Sequence, residues 1–122
     1  MRVRGFFEGG VLGPACVIAT VVIRSLGIKS PVEFVIDTGA TRTTILDRDA
    51  IRLGIDYSRL EKHPEGTLGV GGVVETYIIR GLELVFLMEE GGYHVEKLDV
   101  AYVLEHGELN ERILRIPSIL GG

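Results

Sequence analysis

Phe34-Val35-Ile36-Asp37-Thr38-Gly39-Ala40-Thr41-Arg42-Thr43-Thr44-Ile45 is the stretch on which the reading of this chain turns. Three apolar residues lead straight into a carboxylate and then a glycine, the pattern of a buried strand that ends on an acidic residue and leaves by a tight turn. Burial of residues 34–36 fixes the backbone, Thr38 can hydrogen-bond locally, and Gly39 admits both the turn and the close approach of another backbone. Asp37 is therefore expected on a rigid support. An isolated Asp-Thr-Gly is more often an ordinary turn, so the weight falls on what surrounds it.

Two other stretches supply that context. Thr67-Leu68-Gly69-Val70-Gly71-Gly72-Val73-Val74-Glu75-Thr76-Tyr77-Ile78-Ile79 reads as two strand arms around a glycine turn, a β-hairpin. Near the end, Ile116-Pro117-Ser118 leads into the apolar-apolar-Gly run Ile119-Leu120-Gly121. In this order and spacing the three stretches resemble the aspartic proteases. Asp37-Thr38-Gly39-Ala40 followed by Thr43-Thr44-Ile45 is most similar to the single-domain, retropepsin-like branch, including its cellular and prokaryotic members. The resemblance implies a mainly all-β fold, a closed or partly open β-barrel of the retropepsin-like acid protease type with one short helix after the active-site loop. It implies Asp37 as the catalytic residue, with Thr38, Gly39 and Ala40 as its support. Gly69, Val70, Gly71 and Gly72 would form the flap that closes over a peptide, and Ile119, Leu120 and Gly121 the floor of the site.

One departure touches specificity. Viral relatives carry an acidic pair after the alanine, whereas Thr41 and Arg42 stand here. Gripping of the peptide backbone by these side chains is therefore not expected; the resemblance implies a substrate-binding place for Arg42, where it would favour an acidic substrate group, and a surface-exposed arginine is the alternative.

The chemistry follows from a count. Hydrolysis of this type needs two carboxylates sharing one proton, one to activate water and one to protonate the carbonyl oxygen. The chain has a single Asp-Thr-Gly in 122 residues, too short for two lobes. A complete site would need Asp37 from each of two identical subunits on a two-fold axis. The resemblance thus implies an endopeptidase with a polypeptide substrate and no metal or organic cofactor. Relatives continue past the apolar-apolar-Gly run with a helix and a last strand, and this sequence ends at Gly122. The expectation is a single domain over residues 1–122 without those elements, and a weak homodimer. The competing reading is a non-catalytic peptide-binding or dimerisation module that keeps the fold. A third is an unrelated small barrel with Asp37 at an exposed tip.

Composition agrees with a single β-rich domain: 46% of residues are hydrophobic, and 17 glycines suit many tight turns. The net charge of −4 and the absence of a basic stripe give no footprint for nucleic acid. Cys16 is the only cysteine, so no internal disulfide can form. Residues 11–23 are apolar behind Arg2 and Arg4, yet the run is short, holds Gly13-Pro14 and lacks a small-residue cleavage site before Arg24. It reads as a buried strand over 15–24 rather than a secretory signal or membrane span, and a cytoplasmic location is expected. The chain would turn at Ser25-Leu26-Gly27 and return through 31–36.

After the loop, residues 45–54 read as a short helix with Asp47 as N-cap, Leu46 and Ile51 as a hydrophobic staple, and Gly54 as a left-handed stop. Residues 56–65 are a polar linker. Residues 81–88 and 93–104 read as two further strands joined at Glu89-Glu90-Gly91-Gly92, a solvated tip. His63, His94 and His106 are scattered, and none lies in a metal or nucleophile motif.

Overall fold

The computed structural model describes residues 5–7, 15–37, 39–64, 67–69 and 72–121. Its strands are β1 (Gly5–Phe7), β2 (Ala15–Ile23), β3 (Ile28–Asp37), β4 (Thr44–Ile45), β5 (Glu61–Lys62), β6 (Thr67–Gly69), β7 (Gly72–Leu87), β8 (Tyr93–His106) and β9 (Ser118–Gly121), with one α-helix, α1 (Asp47–Leu53), after β4. Neighbouring strands run β2-β3-β9-β4-β8-β7, and β7 pairs back onto β2 through Thr20↔Val85 to Val22↔Glu83. Six strands thereby close into a barrel. The expected mainly β architecture with one short helix is present, and the barrel is closed rather than partly open.

β2 shows why the first hairpin forms. Val17, Ala19, Val21 and Ile23 are buried at period two, while Ile18 between them is exposed. The turn to β3 is a single 3-10 turn closed by Gly27, whose φ of +66° is readily available only to glycine. β3 returns with Val32 and Phe34 inside. Phe34, Ile45, Ile79, Leu82, Leu84 and Val103 are almost fully buried at the centre. Each such side chain contributes about 1.5–3 kcal/mol relative to exposure.

Two local expectations are corrected. The hairpin arm from Gly72 does not stop near Ile79; β7 runs unbroken to Leu87, paired with β8 from Val74↔His106 to Leu87↔Tyr93. Gly81 looks like a break in the sequence, but at φ +82° it stays between the paired Arg80↔Val100 and Leu82↔Leu98, so the ladder continues past it. The helix also starts differently. Its N-cap is Leu46, Asp47 is the first helical residue, and no side chain caps the N-terminus. Ile51 is exposed, so it forms no staple with Leu46. The Asp47 carboxylate cannot cap because it faces His106 instead. Gly54 ends the helix at φ +70°, as expected.

β9 decides the geometry of the site. It runs parallel to β3, from Phe34↔Ser118 to Asp37↔Gly121, and antiparallel to β4 at Thr44↔Ile119. It therefore lies between the two strands that bracket the loop 38–43, holding both ends of that loop.

Candidate active site

Asp37 is the last residue of β3 and is exposed at the strand end. Its backbone carbonyl accepts a hydrogen bond from Ala40 N–H at 3.1 Å, and its Oδ1 accepts one from Gly39 N–H at 3.0 Å. The turn thus orients the carboxylate through the backbone. A Cβ on Gly39 would approach Asp37 Oδ1 to 3.3 Å, tight enough to disturb that bond. Thr38 lies outside the described residues, so its expected role in the support does not come into view.

The run expected to form the floor of the site lies along β3. Leu120 pairs with Ile36 and Gly121 with Asp37. Gly121 is required for a steric reason: a Cβ there would sit 2.6 Å from the carbonyl carbon and oxygen of Arg42 and 2.7 Å from its nitrogen. Backbone packs directly on backbone at this point, which only glycine allows. Thr43 locks the other side of the loop. Its Oγ1 accepts from Gly121 N–H at 3.2 Å, and its carbonyl accepts from Tyr102 N–H at 3.0 Å. Gly69 and Gly72 pair across the end of the β6–β7 hairpin; Val70 and Gly71, the expected flap tip, lie outside the described residues.

Beside the aspartate the barrel interior opens as an apolar cleft of about 360 Å³, walled by Val17, Ile36, Leu84, Phe86, Leu98 and Leu120. Ile36, adjacent to Asp37, is 39% exposed there. His94 Nε2 and Glu96 Oε1, 2.5 Å apart, stand at its rim.

Beneath the loop lies a buried polar network that the sequence did not reveal. Ser118 Oγ donates to Asp49 Oδ2 at 2.6 Å and accepts from Leu46 N–H at 3.0 Å, tying the start of α1 to the first residue of β9. Arg48 donates to the same Asp49 at 3.0 Å and to the Glu33 carbonyl at 3.1 Å, carrying the network to β3. On the other flank His106 N–H donates to Asp47 Oδ2 at 3.0 Å, and His106 Nδ1 lies 2.5 Å from Asp47 Oδ1. Burial pushes the nearby Tyr57 phenol far above its ordinary range, and the Asp47 and Glu105 charges add to this. These groups position the strands that carry Asp37 and Gly121. Both members of the Asp47–His106 pair are almost fully buried, with side chains 3% and 6% exposed. Removing one partner strands the other in a dry interior. Asp47→Ala is expected to cost about 3 kcal/mol of stability, read as a lowered midpoint in urea unfolding, with Asp47→Asn recovering part of the loss.

Among the described residues no group of His, Cys, Asp and Glu is arranged to hold a metal ion, and no helix is long and apolar enough to cross a membrane.

The closed six-strand barrel, with an aspartate at one strand end, a glycine turn after it and an apolar-apolar-Gly strand beside it, has the retropepsin-like fold. Residues 16–121 match the aspartyl protease family, and the chain belongs to that family. Two solved structures share the fold. One is a retropepsin-like aspartic protease from Rickettsia conorii, 20% identical, with a TM-score of 0.51 over 88% of this chain and 74% of that one. The other is the EIAV protease complexed with the inhibitor HBY-793, also 20% identical, with a TM-score of 0.50 over 91% of this chain and 84% of that one. No curated protein sequence matches the chain.

Proposed function

We propose that this protein is an aspartic endopeptidase whose active site forms from two copies of Asp37, one from each subunit of a homodimer. The observation that carries the reading is the seating of Asp37: paired with Gly121 and held by the Gly39 and Ala40 amides, in a chain of the aspartyl protease family. One such carboxylate cannot be base and acid in the same step. Two that face each other keep one proton between them, so one draws a proton from water while the other donates to the peptide carbonyl oxygen. The exposure of Asp37 in a single chain suits a residue that meets its mate across an interface. The β6–β7 hairpin would close over the peptide as a flap, with Val70 and Gly71 at its tip, and the apolar cleft beside Ile36 would take an apolar side chain. Thr38 and its mate would meet at the two-fold axis.

The pH dependence of cleavage tests this reading. A dyad that works only while singly protonated gives a bell-shaped rate profile, here expected to peak on the acidic side of neutrality. Digestion of an unfolded protein across mildly acidic to alkaline pH measures it. A rate that climbs steadily into the alkaline range would contradict a shared-proton dyad. A folded protein that cleaves nothing at any pH would leave the binding-module reading.

A further inference from the structure

We propose that Arg42, stacked on Tyr102, forms a subsite that selects peptides carrying a carboxylate side chain close to the scissile bond. The proposal rests on the protease reading above and adds the substrate class. Several arginines of this chain end on carboxylates: Arg24 on Glu83 at 3.3 Å, Arg48 on Asp49 at 3.0 Å, Arg80 on Glu61 at 2.8 Å and Arg115 on Glu111 at 2.6 Å. Arg42 does not. Its Cζ lies 4.6 Å from the centroid of the Tyr102 ring, and among the described residues no carboxylate is within ion-pair distance of it. Attraction of a cation to a ring face uses none of the guanidinium N–H groups as conventional hydrogen-bond donors. Those donors form the fork that grips a carboxylate through two parallel hydrogen bonds.

The position is as telling as the chemistry. The Arg42 backbone packs against Gly121, whose strand partner is Asp37, so the Arg42 side chain springs from the loop that follows the candidate catalytic carboxylate. The platform is also held in place. Tyr102 N–H donates to the Thr43 carbonyl, fixing β8 against the loop, so the ring lies under Arg42 before any ligand arrives. Arg42 is exposed and borders an open cleft of about 510 Å³ lined by Thr41, Thr43, Val100, Tyr102 and Gly121. The chain as a whole carries a net charge of −4. Long-range repulsion would discourage an acidic peptide, and a single preorganised arginine would admit one whose carboxylate falls at the right place.

The test uses matched peptides that differ only by Glu against Gln at one position, with that position walked along both sides of the cleavage site. The expected result is that Glu at one position raises kcat/KM about tenfold over Gln, the size of a well-made hydrogen bond to a charged group. Arg42→Ala should remove that ratio, Arg42→Lys should keep part of it, and Arg42→Glu should turn the preference toward Lys. A readout independent of turnover uses the Asp37→Asn protein. The Arg42 Nε–Hε resonance should shift on titration with the Glu peptide and not with the Gln peptide. Cleavage with equal Glu and Gln rates at every position would overturn the subsite and leave the protease reading standing. A Glu-specific shift without cleavage by the wild-type protein would support the subsite while sinking the protease reading. The absence of both the Glu preference and the Glu-specific shift would overturn the proposal.

Discussion

Asp37→Asn is expected to abolish peptide cleavage, a fall of about 10⁴-fold or more in kcat/KM, while the protein folds as before. The two halves of that result have separate causes. Asparagine keeps the side-chain oxygen that accepts from Gly39 N–H at 3.0 Å, so the turn is retained. Asp37 is exposed in the single chain, and the substitution buries nothing new. Stability should therefore change by no more than about 0.5 kcal/mol. What is lost is the ionisable proton, without which the pair cannot act as base and acid in turn. Matched assays of wild-type and variant protein, with thermal unfolding of both, read the two halves together. Equal cleavage by the two proteins would show that the activity does not come from this carboxylate.

The second large effect is expected from Gly121→Ala, the smallest change that adds a Cβ. That carbon would lie 2.6 Å from the backbone carbon and oxygen of Arg42, and neither is the end of a flexible side chain that can swing away. Either β9 moves off the loop or the loop moves off β9. In both cases the Asp37↔Gly121 pairing and the bond from Gly121 N–H to Thr43 Oγ1 are disturbed. The expected cost is about 1–3 kcal/mol of stability for the overpacking. A displacement of even about 1 Å at the carboxylate is enough to lower turnover by about a hundredfold. Ala at Gly54 provides the contrast: that glycine sits at positive φ, but a Cβ there would meet no atom within 4 Å, so only backbone strain at the helix end is expected. Measuring kcat/KM and the urea midpoint for Gly121→Ala separates misplacement from global unfolding, since a folded variant with undiminished turnover would show that this contact does not position the site.

Much of this was legible from local signals. The Phe34 to Ile36 lead-in, Asp37 and Gly39 announce a strand end and a turn because both depend on neighbouring residues alone. Alternation along β2 and the glycines at the turns are of the same kind. Ile119-Leu120-Gly121 could be placed beside Asp37 only through the family resemblance, since nothing in that run by itself says which strand it joins. What stayed hidden depends on distant partners. Asp47 looked like an N-cap, but its carboxylate is taken by His106, 59 residues away, and the helix begins without a side-chain cap. Ser118 looked like an unremarkable residue before a strand, yet it joins Asp49 across 69 residues. Gly81 looked like a boundary because glycine breaks strands in isolation, whereas cross-strand pairing with β8 carries β7 through it. Tyr102 under Arg42 belongs with these, since a stacking partner on another strand leaves no trace in the sequence around Arg42.

The central claim is that one active site takes Asp37 from two chains, and a mixing experiment addresses it most directly. Wild-type and Asp37→Asn proteins are combined at a fixed total concentration, refolded together so that subunits exchange, and assayed on one peptide as the wild-type fraction is varied. If each site needs two aspartates, only wild-type pairs are active and the rate should follow the square of the wild-type fraction. A rate that falls in direct proportion to that fraction would contradict the shared site, because each wild-type chain would then be cleaving peptide on its own.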